Sequence, residues 1–106
     1  MAPNERPSEP IRSSFSDDSE MVELIEFFVH EMPDRVLAVS EAWRDNRLED
    51  LERLAHQIKG ASGGFGFTQI GLAAERLEKS LRTEKDLGEL AREVDALVDL
   101  CRRVTV

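Results

Sequence analysis

Apolar residues recur at three- and four-residue steps through most of this chain, which is the period of an α-helix rather than the alternation of a β-strand. The pattern occupies four successive segments, Met21 to Trp43, Leu48 to Ile58, Ile70 to Leu81 and Leu87 to Val104. No segment has the pattern of a strand. The connections are only a few residues long, so successive helices should pack antiparallel. The sequence therefore predicts an all-α fold, an up-down antiparallel four-helix bundle.

Polar residues at a three-residue spacing indicate where helices begin. Three pairs have the spacing of a capping box, which satisfies free backbone N–H groups at a helix start: Asp17 with Glu20, Asn46 with Glu49, and Asp86 with Glu89. The first pair opens helix 1, in which Pro33 predicts a kink because the periodicity continues beyond it. Helix 2 is predicted over about 47–62, helix 3 from near Thr68, and helix 4 from the third pair to the end of the chain.

The first fifteen residues differ in composition from the rest. They hold three of the four prolines among mostly polar residues, and such a segment buries too little apolar surface to order itself. The sequence predicts a disordered N-terminal tail over 1–15 and one helical bundle domain over 16–106. A chain of 106 residues is long enough for one core.

Charge and length exclude several classes of function. Fourteen Lys and Arg against 22 Asp and Glu give a net charge of −8, which would repel nucleic acid and anionic membrane surfaces. No apolar run is long enough to span a membrane, and the N-terminus lacks the apolar stretch of a signal peptide. With Cys101 as the single cysteine, we expect a cytoplasmic protein. No P-loop and no dinucleotide-binding motif is present.

Metal binding is not predicted either. His30, His56 and Cys101 are separated by spacings unlike those of paired ligands, such as H-x-x-x-H or C-x-x-C. Cys101 also falls on the apolar face of helix 4.

His56 is the residue with the clearest chemical potential. At about 100° per residue, its side chain lies opposite the apolar stripe of helix 2, formed by Leu51, Leu54 and Ile58. Lys59 lies one turn further on, where its ammonium group can reach an anion attached to the imidazole. Gly60 adds a bare stretch of backbone beside the ring, although glycine within a helix costs about 0.5–1 kcal/mol relative to alanine. A large partner could approach there.

The run Ala55-His56-Gln57-Ile58-Lys59-Gly60-Ala61-Ser62, followed by Gly66, Ile70 and Leu77-Glu78, resembles the histidine-containing phosphotransfer (HPt) domains of two-component phosphorelays. The resemblance covers about 17–104. It implies that His56 is the phosphoacceptor, that Lys59 sits near the phosphoryl group, and that Gly60 leaves room for a receiver domain.

Further roles follow from the resemblance and from position. The resemblance implies that Glu78 hydrogen-bonds the imidazole nitrogen that is not phosphorylated, and Arg82, one turn beyond, is a candidate for a second positive charge. Gln57 and Gly63 join Gly60 as candidate docking residues. Four apolar residues of helix 1 lie outside its core stripe, a surplus that often marks a docking face: Val22, Phe27, Val29 and Leu37.

Two hypotheses remain open from the sequence. In the first, the chain is a phosphocarrier without a kinase domain of its own; its partners are response-regulator receiver domains and, as a further candidate, a hybrid sensor histidine kinase. It would be a monomer without a cofactor, and Mg²⁺ would belong to the receiver. In the second, the bundle is a non-catalytic helical adaptor and His56 is incidental. The sequence fits both a free-standing protein and a module of a hybrid kinase.

Overall fold

The computed structural model describes residues 9–83 and 86–106. It contains four helices, α1 (Val22–Arg44), α2 (Leu48–Gly64), α3 (Thr68–Arg82) and α4 (Leu87–Arg102). Short strands flank them, β1 (Ile11–Arg12) before α1 and β2 (Val104–Thr105) after α4. Each helix packs against the next one along the chain, and α1 also packs against α4, which closes the ring. The predicted all-α, up-down four-helix bundle is confirmed.

The core is formed by the stripes that the helical period predicts. In α1 they include Ile25, Phe28, Met32, Val36 and Val39, all buried. The α2–α3 connection adds Phe67, which is 1% exposed and stacks on Phe28 with ring centroids 4.8 Å apart. One predicted stripe residue, Leu87, is 63% exposed, because it is the first residue of α4 and precedes the part of that helix that packs on the bundle.

The helix starts agree with the predicted capping boxes at one of three places. Asp86 caps α4 by accepting a hydrogen bond from the backbone N–H of Glu89 at 2.9 Å. At α1 the prediction of a box between Asp17 and Glu20 is wrong, since Asp18 forms a turn with the backbone N–H of Glu20 and the helix starts only at Val22. The helix then continues through Pro33.

The turn between α1 and α2 also differs from the predicted capping box of Asn46 and Glu49. Asn46 has φ +58°, and α2 begins at Leu48 without a side-chain cap. Asparagine tolerates this left-handed conformation, so it reverses the chain after α1 instead of capping α2. Helix α2 ends at Gly64, two residues later than predicted, and α3 begins at Thr68 as predicted.

The segment 11–15 is a further difference from the sequence prediction. Residues 1–8 of the predicted disordered tail lie outside the described residues, but 11–15 contact the bundle. Ile11 pairs with Val104 and Arg12 with Thr105 in parallel register, and Ser13 donates a hydrogen bond to the carbonyl of Phe65 at 2.6 Å. These tertiary contacts order a segment whose composition alone favours disorder. Helix α4 ends at Arg102 and the chain continues into β2, whereas the sequence predicted a helix to the end of the chain.

Candidate functional site

His56 lies in the middle of α2, with its side chain 63% exposed. Its neighbours Ala55 and Ile58 are buried in the core at 0% and 1% exposure. The helical period therefore places the imidazole on the solvent face, as the sequence predicts. Its exposure leaves the ring accessible to a second protein.

Glu78 contacts this imidazole from the neighbouring helix α3. Its side chain is 2% exposed, and its Oε2 lies 2.8 Å from His56 Nδ1. Two cations share the same carboxylate: Lys59 Nζ donates to Oε1 at 2.9 Å, and an Arg82 guanidinium NH₂ group donates to Oε2 at 3.0 Å. The four predicted site residues thus form one connected cluster across α2 and α3.

The charge state of Glu78 determines which nitrogen of His56 carries the proton. Burial by itself would raise the pKa of Glu78, but hydrogen bonds from Lys59 and His56 and the charge of Arg82 outweigh it, so the pKa lies below its ordinary value of 4.5. The carboxylate is therefore ionised at neutral pH and only accepts hydrogen bonds. In the neutral imidazole, His56 Nδ1 is then the donor, which leaves the lone pair on Nε2.

Arg82 is held between two carboxylates. Its Nε donates to Glu52 Oε2 at 2.8 Å, while its NH₂ group contacts Glu78. The hydrogen bond with Glu52, followed by the charge of Glu78, raises the pKa of Arg82 above its ordinary value, so the guanidinium stays charged. These groups line a concavity of about 330 Å³ that His56 also borders.

The predicted docking residues lie on the exposed surface of α2. Gly60 and Gly63 face open space, since a Cβ atom at either position would meet nothing within 4 Å. Gln57 is exposed and lines a shallow groove of about 260 Å³ between α1 and α2, together with Leu54 and Ala38. The predicted docking residues therefore share the outer face of α2 with His56 and Lys59, while Glu78 and Arg82 belong to α3.

Two residues of the site escaped the sequence analysis. Glu52 lines the same concavity as His56, but its contact with Arg82 on α3 depends on how the two helices pack. The second is Gly71, where an added Cβ would make ordinary contacts, 3.7 Å from Ser62 Cβ and 3.8 Å from the Lys59 carbonyl oxygen. Position 71 of α3 thus lies against the backbone of α2 and has room for a small side chain. The small residues Gly71 on α3 and Ser62 on α2 were the sequence feature that could have indicated close packing of these helices.

Within 9–83 and 86–106, no three His, Cys, Asp or Glu side chains are grouped in a way that would hold a metal ion. In the same ranges, no helix has the length and apolar character needed to cross a membrane.

The fold and the cluster define a class of protein, a helical bundle that presents one oriented histidine to solvent. The family model of the Hpt domain matches residues 23–105, which covers all four helices except the first residue of α1. The chain belongs to the Hpt domain family, whose members carry phosphoryl groups in phosphorelays rather than acting as kinases. Comparison with curated proteins and with solved structures gave no significant match.

Proposed function

We propose that His56 accepts a phosphoryl group from the aspartyl phosphate of a receiver domain and passes it to another receiver. The observation that carries this proposal is the 2.8 Å contact between His56 Nδ1 and the buried carboxylate of Glu78. It fixes the tautomer with the lone pair on Nε2, and the ring is 63% exposed. Nε2 is thus a nucleophilic nitrogen that faces solvent, and it needs no separate base to activate it.

Phosphoryl transfer forms one bond and breaks another, and it uses only groups of the two proteins. The Nε2 lone pair forms a P–N bond, the P–O bond of the aspartyl phosphate breaks, and its electron pair returns to the aspartate carboxylate. The proton on Nδ1 stays between His56 and Glu78, whose negative charge stabilises the cationic phosphorylated ring. Return of the phosphoryl group reverses each of these changes, so the same geometry serves both directions.

Two cations belong to this cluster, and both are already engaged. Lys59 and Arg82 each contact Glu78, so their first role is to keep that carboxylate ionised. Their remaining N–H groups would neutralise part of the phosphoryl charge. In-line positioning and the metal ion, Mg²⁺, would come from the receiver, which explains how a small bundle suffices.

The receiver would seat over the junction of α1 and α2 around His56. Open space at Gly60 and the groove beside Gln57 support this direction of approach. Phe27, on α1, is 61% exposed and provides apolar surface for a partner. We propose a cytoplasmic monomer that acts with receiver domains, and a hybrid sensor histidine kinase is a further candidate partner.

The test is transfer from a phosphorylated receiver domain in the presence of Mg²⁺. The parent and His30→Gln should both gain phosphate that is lost in acid and stable in base, whereas His56→Gln should gain none. His30 is an exposed histidine on α1 and serves as the matched control. Acid-labile phosphate on His56→Gln would contradict the assignment. A parent that binds receivers without ever gaining phosphate would instead be the helical adaptor.

A further inference from the structure

Glu52 is a negative charge placed beside the proposed phosphorylation site without a role in holding the imidazole. It precedes His56 by one helical turn and lines the same concavity as the ring. Its Oε2 accepts the hydrogen bond of Arg82 Nε at 2.8 Å, and this contact is the first cause of the raised pKa of that guanidinium. Glu52 and Glu78 therefore share the Arg82 guanidinium.

A phosphoryl group on Nε2 would bring new negative charge into this surrounding. Glu78 and Glu52 already share Arg82, and Lys59 is committed to the other oxygen of Glu78. The phosphoryl oxygens would then compete with Glu52 for the guanidinium and be repelled by the Glu52 carboxylate. Both effects raise the energy of the phosphorylated state relative to the free one, because like charges that share one cation are only partly neutralised.

We propose that Glu52 is a positioning residue that holds Arg82 back from the phosphoryl group and so shortens the lifetime of phosphorylated His56. This inference rests on His56 being the phosphorylated residue. Repulsion from Glu52 speeds release of the phosphoryl group. Its oxygens carry less charge in the loose transition state of transfer than in the bound state, so the repulsion is weaker there. Repulsion from Glu52 is then relieved as the group leaves, either to a receiver or to water.

The test uses phosphoramidate, which needs no partner protein. Nε2 displaces ammonia from phosphorus, so the P–N bond of the reagent breaks while the bond to His56 forms. All variants carry His30→Gln so that the label reports on His56. After removal of the reagent, the loss of acid-labile phosphate is followed by ³¹P NMR at neutral pH and low salt.

Glu52→Gln should lengthen the half-life of the label about two- to fivefold, the range that partly exposed charge interactions span. The neutral glutamine oxygen holds the Arg82 guanidinium more weakly than the carboxylate does. The contact is partly exposed, so the melting temperature should change little. Glu26→Gln, which removes the same charge from an exposed position on α1, should leave the half-life at the parental value. In an Arg82→Gln background the effect of Glu52→Gln should shrink, since the two residues act through one contact.

The salt dependence of the half-life is a second measurement, and it would not change if Glu52 had only a structural role. The difference in half-life between the parent and Glu52→Gln should narrow as ionic strength rises, because exposed charges are screened. Equal half-lives at low salt, or a shorter one in Glu52→Gln, would overturn the inference while leaving the proposed function intact. A parent that takes up no label at His56 would instead contradict the proposed function.

Discussion

Glu78 and His56 are 22 residues apart in the chain, yet their side chains meet at 2.8 Å, with the carboxylate 2% exposed and the imidazole 63% exposed. A buried anion therefore orients an accessible ring. Burial of an unpaired carboxylate would be costly, and the hydrogen bonds from α2 and from Arg82 remove that cost. Stability and presentation of the histidine thus depend on the same side chain.

Glu78→Gln should slow phosphoryl transfer and lower stability by about 1–2 kcal/mol at pH 7, because glutamine keeps one acceptor but loses the charge that Lys59 and Arg82 contact. The lowered pKa of Glu78 sets the pH dependence. Its contribution is complete above the ordinary value of 4.5 and is lost as pH falls through the lower folded pKa. Melting curves between pH 7 and pH 3 should show the two proteins converging at the acid end. A difference that stays constant over that range would argue against an ionised Glu78.

Lys59→Ala should reduce both transfer and stability, the latter by about 1 kcal/mol, because it removes a hydrogen bond from a buried carboxylate that keeps two other partners. Lys79→Ala is the matched control, since this lysine is exposed on the last turn of α3. Thermal melting and transfer rate should both separate the two variants. If Lys59→Ala behaves like Lys79→Ala in both measurements, the contact with Glu78 has no consequence in solution.

The four helices and the exposed histidine could be predicted from the sequence because both follow from local periodicity. The apolar stripe of α2 determines which side faces the core, and the opposite side then carries His56, Lys59 and Gly60 without knowledge of any other helix. The role of Glu78 came only from the family resemblance. Nothing in the local pattern of α3 shows that a glutamate is buried there.

The remaining features depend on contacts between distant segments. Arg82 contacts Glu52, which is 30 residues away in the chain. Local spacing predicts a contact of Arg82 only with Glu78, one turn earlier on α3. The ordering of Ser13 depends on the carbonyl of Phe65, 52 residues away. Composition could predict neither contact, because both become available only after the bundle has packed.

Gly66→Ala should destabilise the protein by about 1–3 kcal/mol and release the segment 11–15 from the bundle. Gly66 has φ +81°, a conformation that disfavours a side chain, and an added Cβ would lie 2.5 Å from Ser13 Oγ. Gly63→Ala, with open space around its Cβ, is the control. Chemical denaturation gives the stability, and amide exchange at Ser14, whose N–H donates to the Gly66 carbonyl at 2.9 Å, reports the release. Parental exchange at Ser14 would show that the segment adapts to the methyl group.

Cys101 should not react with N-ethylmaleimide at pH 8 until the protein unfolds. Burial raises the pKa of its thiol to about 12, against a weaker opposing effect from the charge of Arg35, and its side chain is 2% exposed. The thiolate is the reactive form, so only about one molecule in ten thousand is ionised at that pH. Mass spectrometry should show one added group in guanidinium chloride and none without it. Rapid labelling of the native protein would mean that α4 opens readily near its end.

Gly60→Gln should block transfer without affecting the fold. A Cβ at this position meets nothing within 4 Å, so the larger side chain costs no packing, and replacing glycine within a helix stabilises it by up to about 1 kcal/mol. The new side chain would nevertheless project one turn beyond His56, where a receiver has to bring its aspartate within attack distance.

Gly60→Ala, with a single methyl group, should melt at or above the parental temperature and retain most of the transfer rate. The measurement is therefore a pair, thermal melting beside the transfer rate from one phosphorylated receiver. Should Gly60→Gln transfer phosphate as fast as the parent, the receiver approaches His56 from another side, and the docking surface proposed around Gln57 and Gly63 would be wrong.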